Sequence, residues 1–238
     1  MRYEYLIGTL SIGIIWAILF ILRRDLRRPM LWSGAAYIAI ISTIYLTWLL
    51  TSPFIFWGSP LVPDYWDPTA LFNLGRITRG YAIEDALFAF FAGGIAAALY
   101  ETFFRQRIRF KRKYRHHIRA PLVGFVAAGA FAAFFKLNAI YPFIVFGLAG
   151  AASIWLERKD LIRHSILGGV TFLIVYFLSF LIFNAIFPYF VGRYYNLENI
   201  SGILAFGVPL EELLYAISVG FLWGPLYEYE HGEKDIDL

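Results

Sequence analysis

Seven mostly apolar runs, each near the length of about 20 residues that spans a bilayer, divide this 238-residue chain. They lie at roughly 3–22, 30–52, 82–104, 120–136, 138–156, 166–188 and 203–226. Within hydrocarbon, backbone polar groups must be satisfied inside the chain, so only helices and closed barrels cross a membrane. The runs therefore predict an all-α integral membrane protein with seven transmembrane helices in a single membrane domain over residues 1–238. Hydrophobic residues make up 60% of the chain, against about 45–50% in soluble domains. There is no cysteine, which excludes disulfides and thiolate metal sites.

Most of the positive charge lies in three short loops. Arg23, Arg24, Arg27 and Arg28 form one cluster, and Arg105 to Arg119, with Lys111, Arg112, Lys113 and Arg115, form a second. Arg158, Lys159 and Arg163 form a third. Short basic loops between apolar spans mark the cytoplasmic side. The expected topology is a multi-pass cell-membrane protein, N-terminus outside and C-terminus in the cytoplasm. The clusters read as topology signals beside membrane lipids, and no nucleic-acid partner is expected. In the first run the positive charge follows the apolar stretch and no small-residue cleavage site is evident, unlike a signal peptide. The outer loops, 53–80 and 187–202, are aromatic-rich; they read as an interfacial belt or as a lid.

Two acidic pairs interrupt this pattern, Glu84-Asp85 and Glu211-Glu212. They are related by a shift of 127 positions, which carries residues 84–101 onto 211–228 with seven identities, among them Gly93/Gly220 and Leu99-Tyr100-Glu101/Leu226-Tyr227-Glu228. The shift maps span one onto five, two onto six and three onto seven, leaving span four as a connector. Because four spans separate the members of each mapped pair, the two three-helix repeats are expected to be parallel. Repeat one is placed at 1–107, the connector with span four at 108–129, and repeat two at 130–238.

Acids in lipid are costly and mark functional sites. Counting about 1.5 Å per residue from Ile203 places Glu211 roughly 12 Å below the outer end of span seven. Pro209 predicts a kink beside it. Neighbouring helical positions point in different directions, so the two acids of a pair have different surroundings. A carboxyl in hydrocarbon beside a second carboxyl supplies a proton donor and an acceptor. Tyr81, Phe88, Tyr215 and Trp223 line up near the pairs, and aromatic faces stabilise cations. Donor, acceptor and aromatic walls suit carbocation chemistry on an isoprenoid. No metal site is expected: His116-His117 lie in the basic loop, His164 and His231 are isolated, and Glu101 and Glu228 read as solvated helix ends. No GxGxxG after a strand, no Asp-rich pyrophosphate box and no lysine in span seven are present, against nucleotide-cofactor, ionisation-dependent prenyl-transfer and retinal-binding readings.

The stretch from Tyr194-Tyr195-Asn196 through Ile200-Ser201-Gly202-Ile203 to Val208-Pro209-Leu210-Glu211-Glu212 resembles the flavin-independent, membrane-integral lycopene β-cyclase family. The signature is an aromatic, Asn-containing stretch, then Ile-x-Gly, then Pro-x-Glu-Glu. The first half is a worn copy, with Ala82 where proline would stand, Asp85 for the second glutamate and Gly75 for Gly202. The resemblance implies a carotenoid (lycopene) substrate, acid-initiated and non-redox ring closure of ψ-end groups, and no cofactor. It implies Glu211 or Glu84 as acid, with Glu212 and Asp85 as partner, base or pKa tuner, and adds Asn196 to the substrate-binding candidates. Carotenoid-pathway enzymes are the expected protein partners. The rival readings are a terpene cyclase for another isoprenoid, a proton-coupled transporter and a structural carotenoid-binding subunit.

Overall fold

The computed structural model describes residues 3–104, 108–109, 118–231 and 234–235. Most basic residues of the second cluster, including Lys111, Arg112, Lys113 and Arg115, and the His116-His117 pair lie outside the described residues. Nine α-helices are present among them: α1 Glu4–Leu22, α2 Arg27–Thr51, α3 Leu74–Thr78, α4 Ile83–Phe104, α5 Arg119–Phe135, α6 Ile140–Glu157, α7 Ile162–Ile186, α8 Phe190–Tyr194 and α9 Leu210–His231. Four two-residue strands, β1 Ile108–Arg109, β2 Leu204–Ala205, β3 Val208–Pro209 and β4 Lys234–Asp235, pair antiparallel as β1·β4 and β2·β3.

Five helices, α1, α2, α4, α6 and α7, are long and apolar enough to cross a membrane by length and composition. The expected seven spans are thus met in part. The fourth, α5, is a shorter apolar helix, and α9 carries acids in its first turn and again near its end. The lipid-facing sides are explicit. On α7 the exposed apolar residues Ile166, Val170, Ile174, Leu178, Ile182 and Ile186 recur every fourth position, the spacing of a single helix face.

At the centre lie α4 and α9, which pack on each other. Around α4 sit α1, α2 and α7, and around α9 sit α6 and α7. Their central position follows from small side chains. α4 buries Ala92, Gly93, Gly94, Ala96, Ala97 and Ala98, and small residues let membrane helices approach backbone to backbone. The repeat-related Gly93 and Gly220 sit at matching crossings. A Cβ on Gly93 would lie 2.8 Å from the Ser33 carbonyl of α2, and one on Gly220 would lie 2.6 Å from the Gly169 Cα of α7.

The two halves also solve their turns alike. Arg23 ends α1 and Arg158 ends α6, each giving its backbone N–H to a carbonyl four residues back, at 2.8 and 2.7 Å. Each guanidinium then forks onto an aspartate two residues on, Asp25 at 3.0 and 2.7 Å and Asp160 at 2.9 and 2.8 Å. The planar Arg fork matches a carboxylate, so one local brace reverses the chain twice.

Three expectations change. The last helix begins at Leu210, not near 203, because Ile203 to Pro209 form a hairpin whose turn, Phe206-Gly207, has φ of 53° and 80°, the geometry of tight two-residue hairpins. Pro209 therefore precedes the helix and kinks nothing. The connector helix α5 runs to Phe135, so a boundary at 129 falls inside it.

Gly220→Leu is expected to force α7 and α9 apart and cost about 1–3 kcal/mol by overpacking. Thermal unfolding in detergent measures this, with a matched change at lipid-facing Val170 as the neutral reference.

Candidate active site

Both acid pairs occupy the first turn of their helices, Glu84-Asp85 on α4 and Glu211-Glu212 on α9. The positive end of the helix dipole favours carboxylates there. Within each pair the first acid turns to an outer loop. Glu84 accepts the Leu71 N–H at 2.7 Å, while Glu211 accepts the Ser201 N–H at 2.8 Å and the Tyr141 hydroxyl at 3.0 Å. The second acid turns inward, and what it meets differs between halves.

The residue before each helix sets that difference. Ala82 has an N–H, and Asp85, three residues on, reaches back to it at 2.6 Å, the return half of a capping box. Pro209 at the matching position has no N–H to offer. Glu212 is released from capping and collects three phenols instead. Tyr65 and Tyr195 donate to its Oε1 at 2.7 and 2.9 Å, and Tyr176 donates to its Oε2 at 2.5 Å. Asp85 receives one phenol, Tyr5, at 2.5 Å on Oδ1. Burial, and then the neighbouring Glu212 charge, push the loop phenols Tyr65 and Tyr195 well above the ordinary tyrosine range. They stay protonated donors at any working pH.

Asp85 and Glu212 line one apolar cavity of about 370 Å³, and Glu84 and Glu211 do not. Tyr81, Phe88 and Tyr215 are on its wall. Trp223 is not. It lines a small second cavity beneath a floor made by Tyr37 and Tyr215, whose hydroxyls are hydrogen bonded to each other, with the Tyr37 ring 4.0 Å from that of Trp223. Asn196 is off the wall as well. Its backbone N–H goes to the Tyr65 carbonyl at 2.9 Å, beside an antiparallel bridge between Trp66 and Tyr195. Through that bridge the two outer loops close over the cavity together.

A family model described as lycopene cyclase matches residues 3–103 and 138–230. The chain belongs to the lycopene cyclase family. No curated protein and no solved structure matches it. Membership makes this cyclase-family chain an enzyme of the carotenoid-cyclase type, carried on apolar helices suited to a membrane. The two matched stretches contain the two acid pairs and omit the whole of α5, the helix without a counterpart.

At the opposite end of the helices the cyclase-family chain departs from expectation. Glu101 and Glu228 are not solvated ends: they are 0% and 2% exposed. His164 is not isolated, since its Nε2 lies 3.4 Å from Glu101 Oε1 and its ring stacks on Tyr100 at 4.1 Å. One ligand atom from each of Glu101, His164 and Glu228 can be chosen so that all lie within 4.8 Å, a grouping able to hold a metal ion among the described residues. Both glutamates engage further groups as well. Sequence separation concealed this cluster, although Glu101 and Glu228 share a repeat position.

The phenols around the acids are what sequence reasoning missed. Tyr195 stood in the signature stretch, but Tyr5, Tyr65 and Tyr176 come from α1, the first outer loop and α7, and nothing local ties them to a carboxylate. Glu211→Ala is expected to leave the Ser201 N–H and Tyr141 hydroxyl without their acceptor and cost about 1–3 kcal/mol. A melting curve in detergent reads this loss; an unchanged curve would remove Glu211 from its anchoring role.

Proposed function

We propose that the chain cyclises the ψ-end groups of a carotenoid such as lycopene by proton transfer, with Asp85 as the donor and Glu212 as the base. The observation that carries this reading is the division within the pairs. Asp85 and Glu212 share the wall of one apolar cavity, while Glu84 and Glu211 are held by outer-loop N–H groups. This shifts the leading role from the first acid of each pair to the second.

The division of labour follows from hydrogen bonding. Three phenols converge on Glu212, and an ionised carboxylate accepts all three without giving up a lone pair to a proton. Asp85 faces one phenol, with which donor and acceptor can exchange. The proton on Asp85 adds to the terminal double bond of the end group, leaving a tertiary cation. The next double bond attacks that cation and closes the ring. Glu212 then removes a ring proton, so one proton is given, one is taken and no electrons are exchanged. Phe88, Tyr81, Phe146 and Phe180 on the wall stabilise the passing cation by about 0.5–2 kcal/mol per well-placed ring. An apolar, water-poor wall suits this better than proton-coupled transport, which needs a polar path.

The same reading keeps seven spanning helices in two parallel repeats. Its support is the placement of charge: Arg23 to Arg28 and Arg158 to Arg163 share the α1–α2 and α6–α7 turns, while both acid pairs open helices at the other end. The basic turns face the cytoplasm, and the cavity lies in the outer half of the bilayer.

Asp85→Asn and Glu212→Gln are expected to lower lycopene conversion by about 10²- to 10⁴-fold, the usual share of general acid–base catalysis. Glu84→Gln and Glu211→Gln, if folded, stay within about tenfold of the parent, or 1.4 kcal/mol of barrier. In D₂O each ring formed should carry one deuterium. An active Asp85→Asn variant or deuterium-free rings would sink the assignment.

A further inference from the structure

We propose that the seam between α2 and α5 is the groove in which the carotenoid's long polyene lies while one end group occupies the cavity. The proposal rests on the cyclase reading above. A carotenoid is much longer than its end group, so the remainder of the chain must leave the cavity somewhere. Above, the outer loops are joined by the Trp66–Tyr195 bridge and by the Asp67 N–H bond to the Tyr194 carbonyl at 2.8 Å. Below, the hydrogen-bonded Tyr37 and Tyr215 form the floor. An apolar tail has its way out through a side wall, into lipid.

The two sides of the cavity are unlike. Between α1 and α7, Gly8 and Phe183 press together: a Cβ on Gly8 would lie 3.2 Å from the Phe183 ring. On the other side α5, which has no partner in the first half, packs on α6; α2 and α5, like α1 and α7, make no extended backbone contact. Ile44 and Thr47 of α2 and Phe125, Ala128 and Gly129 of α5 nonetheless all line the cavity. The α5 residues form one helix face at i, i+3 and i+4. Its two glycines have opposite surroundings. A Cβ on Gly124 would sit 2.6 Å from the Phe146 carbonyl of α6, whereas one on Gly129 would meet no atom within 4 Å. Gly124 serves packing; Gly129 leaves open space between the cavity and the exposed lipid face that carries Leu122 and Val126.

The test compares two substrates, lycopene and a short acyclic isoprenoid hydrocarbon with the same end group, on Gly129→Trp, Thr47→Trp and Val170→Ala. Filling the seam is expected to lower kcat/KM for lycopene by about tenfold or more while the short substrate keeps its rate within about threefold, because only the long chain needs the groove. Val170→Ala, on the exposed face of α7 away from the cavity, should convert both. The two tryptophan variants fill the seam from opposite walls, so misfolding of one leaves the other to decide, with melting temperature as the check. Lycopene turnover unaffected by either tryptophan, or equal losses on both substrates, would overturn the groove. Failure of the parent enzyme to cyclise either substrate would instead overturn the cyclase reading.

Discussion

One carboxylate holds the functional half of this molecule together. Glu212 is 7% exposed, and three phenols from three parts of the chain converge on it: Tyr65 from the first outer loop, Tyr176 from α7 and Tyr195 from the second outer loop. A buried polar group is tolerated only when it is hydrogen-bonded. Satisfying this one orders both loops, seats α7 against α9 and leaves the acid on an apolar cavity wall. In the proposed mechanism, stability and chemistry draw on the same three bonds.

The duplication explains how such a site arises and why its halves differ. Matching glycines set the α2–α4 and α7–α9 crossings, and matching Arg–Asp braces set the turns, so the frame is nearly shared. The caps are not. Alanine before α4 leaves an N–H that takes up Asp85, and proline before α9 leaves none, which sends Glu212 to the tyrosines. A single missing hydrogen-bond donor converts a repeated capping residue into two unlike acids facing one cavity, which is what a reaction that both gives and takes a proton requires.

Much of this could be read along the chain, and the failures have physical causes. The apolar runs, the basic turns, the acid pairs and the resemblance carried by Pro209, Glu211 and Glu212 are local patterns. Hydropathy ran α9 back to Ile203 because a short hairpin of Leu, Ala, Phe and Val is as apolar as a helix. Glu101, His164 and Glu228 looked unrelated because helix ends far apart in sequence meet only after packing. Trp223 shares a helix with Tyr215 but lies two turns deeper, below the floor.

What the sequence alone determined was the class of structure and the inventory: membrane helices, because runs of about 20 apolar residues match a helical crossing and not a barrel strand of about 9–11, with two acid pairs in equivalent frames. Which acid of each pair lines the cavity was decided by tertiary structure. Adjacent helical positions point about 100° apart, so the two acids of each pair meet different surroundings. The packing of α4 and α9 among the other helices, together with the loop N–H groups that claim Glu84 and Glu211, left that place to Asp85 and Glu212.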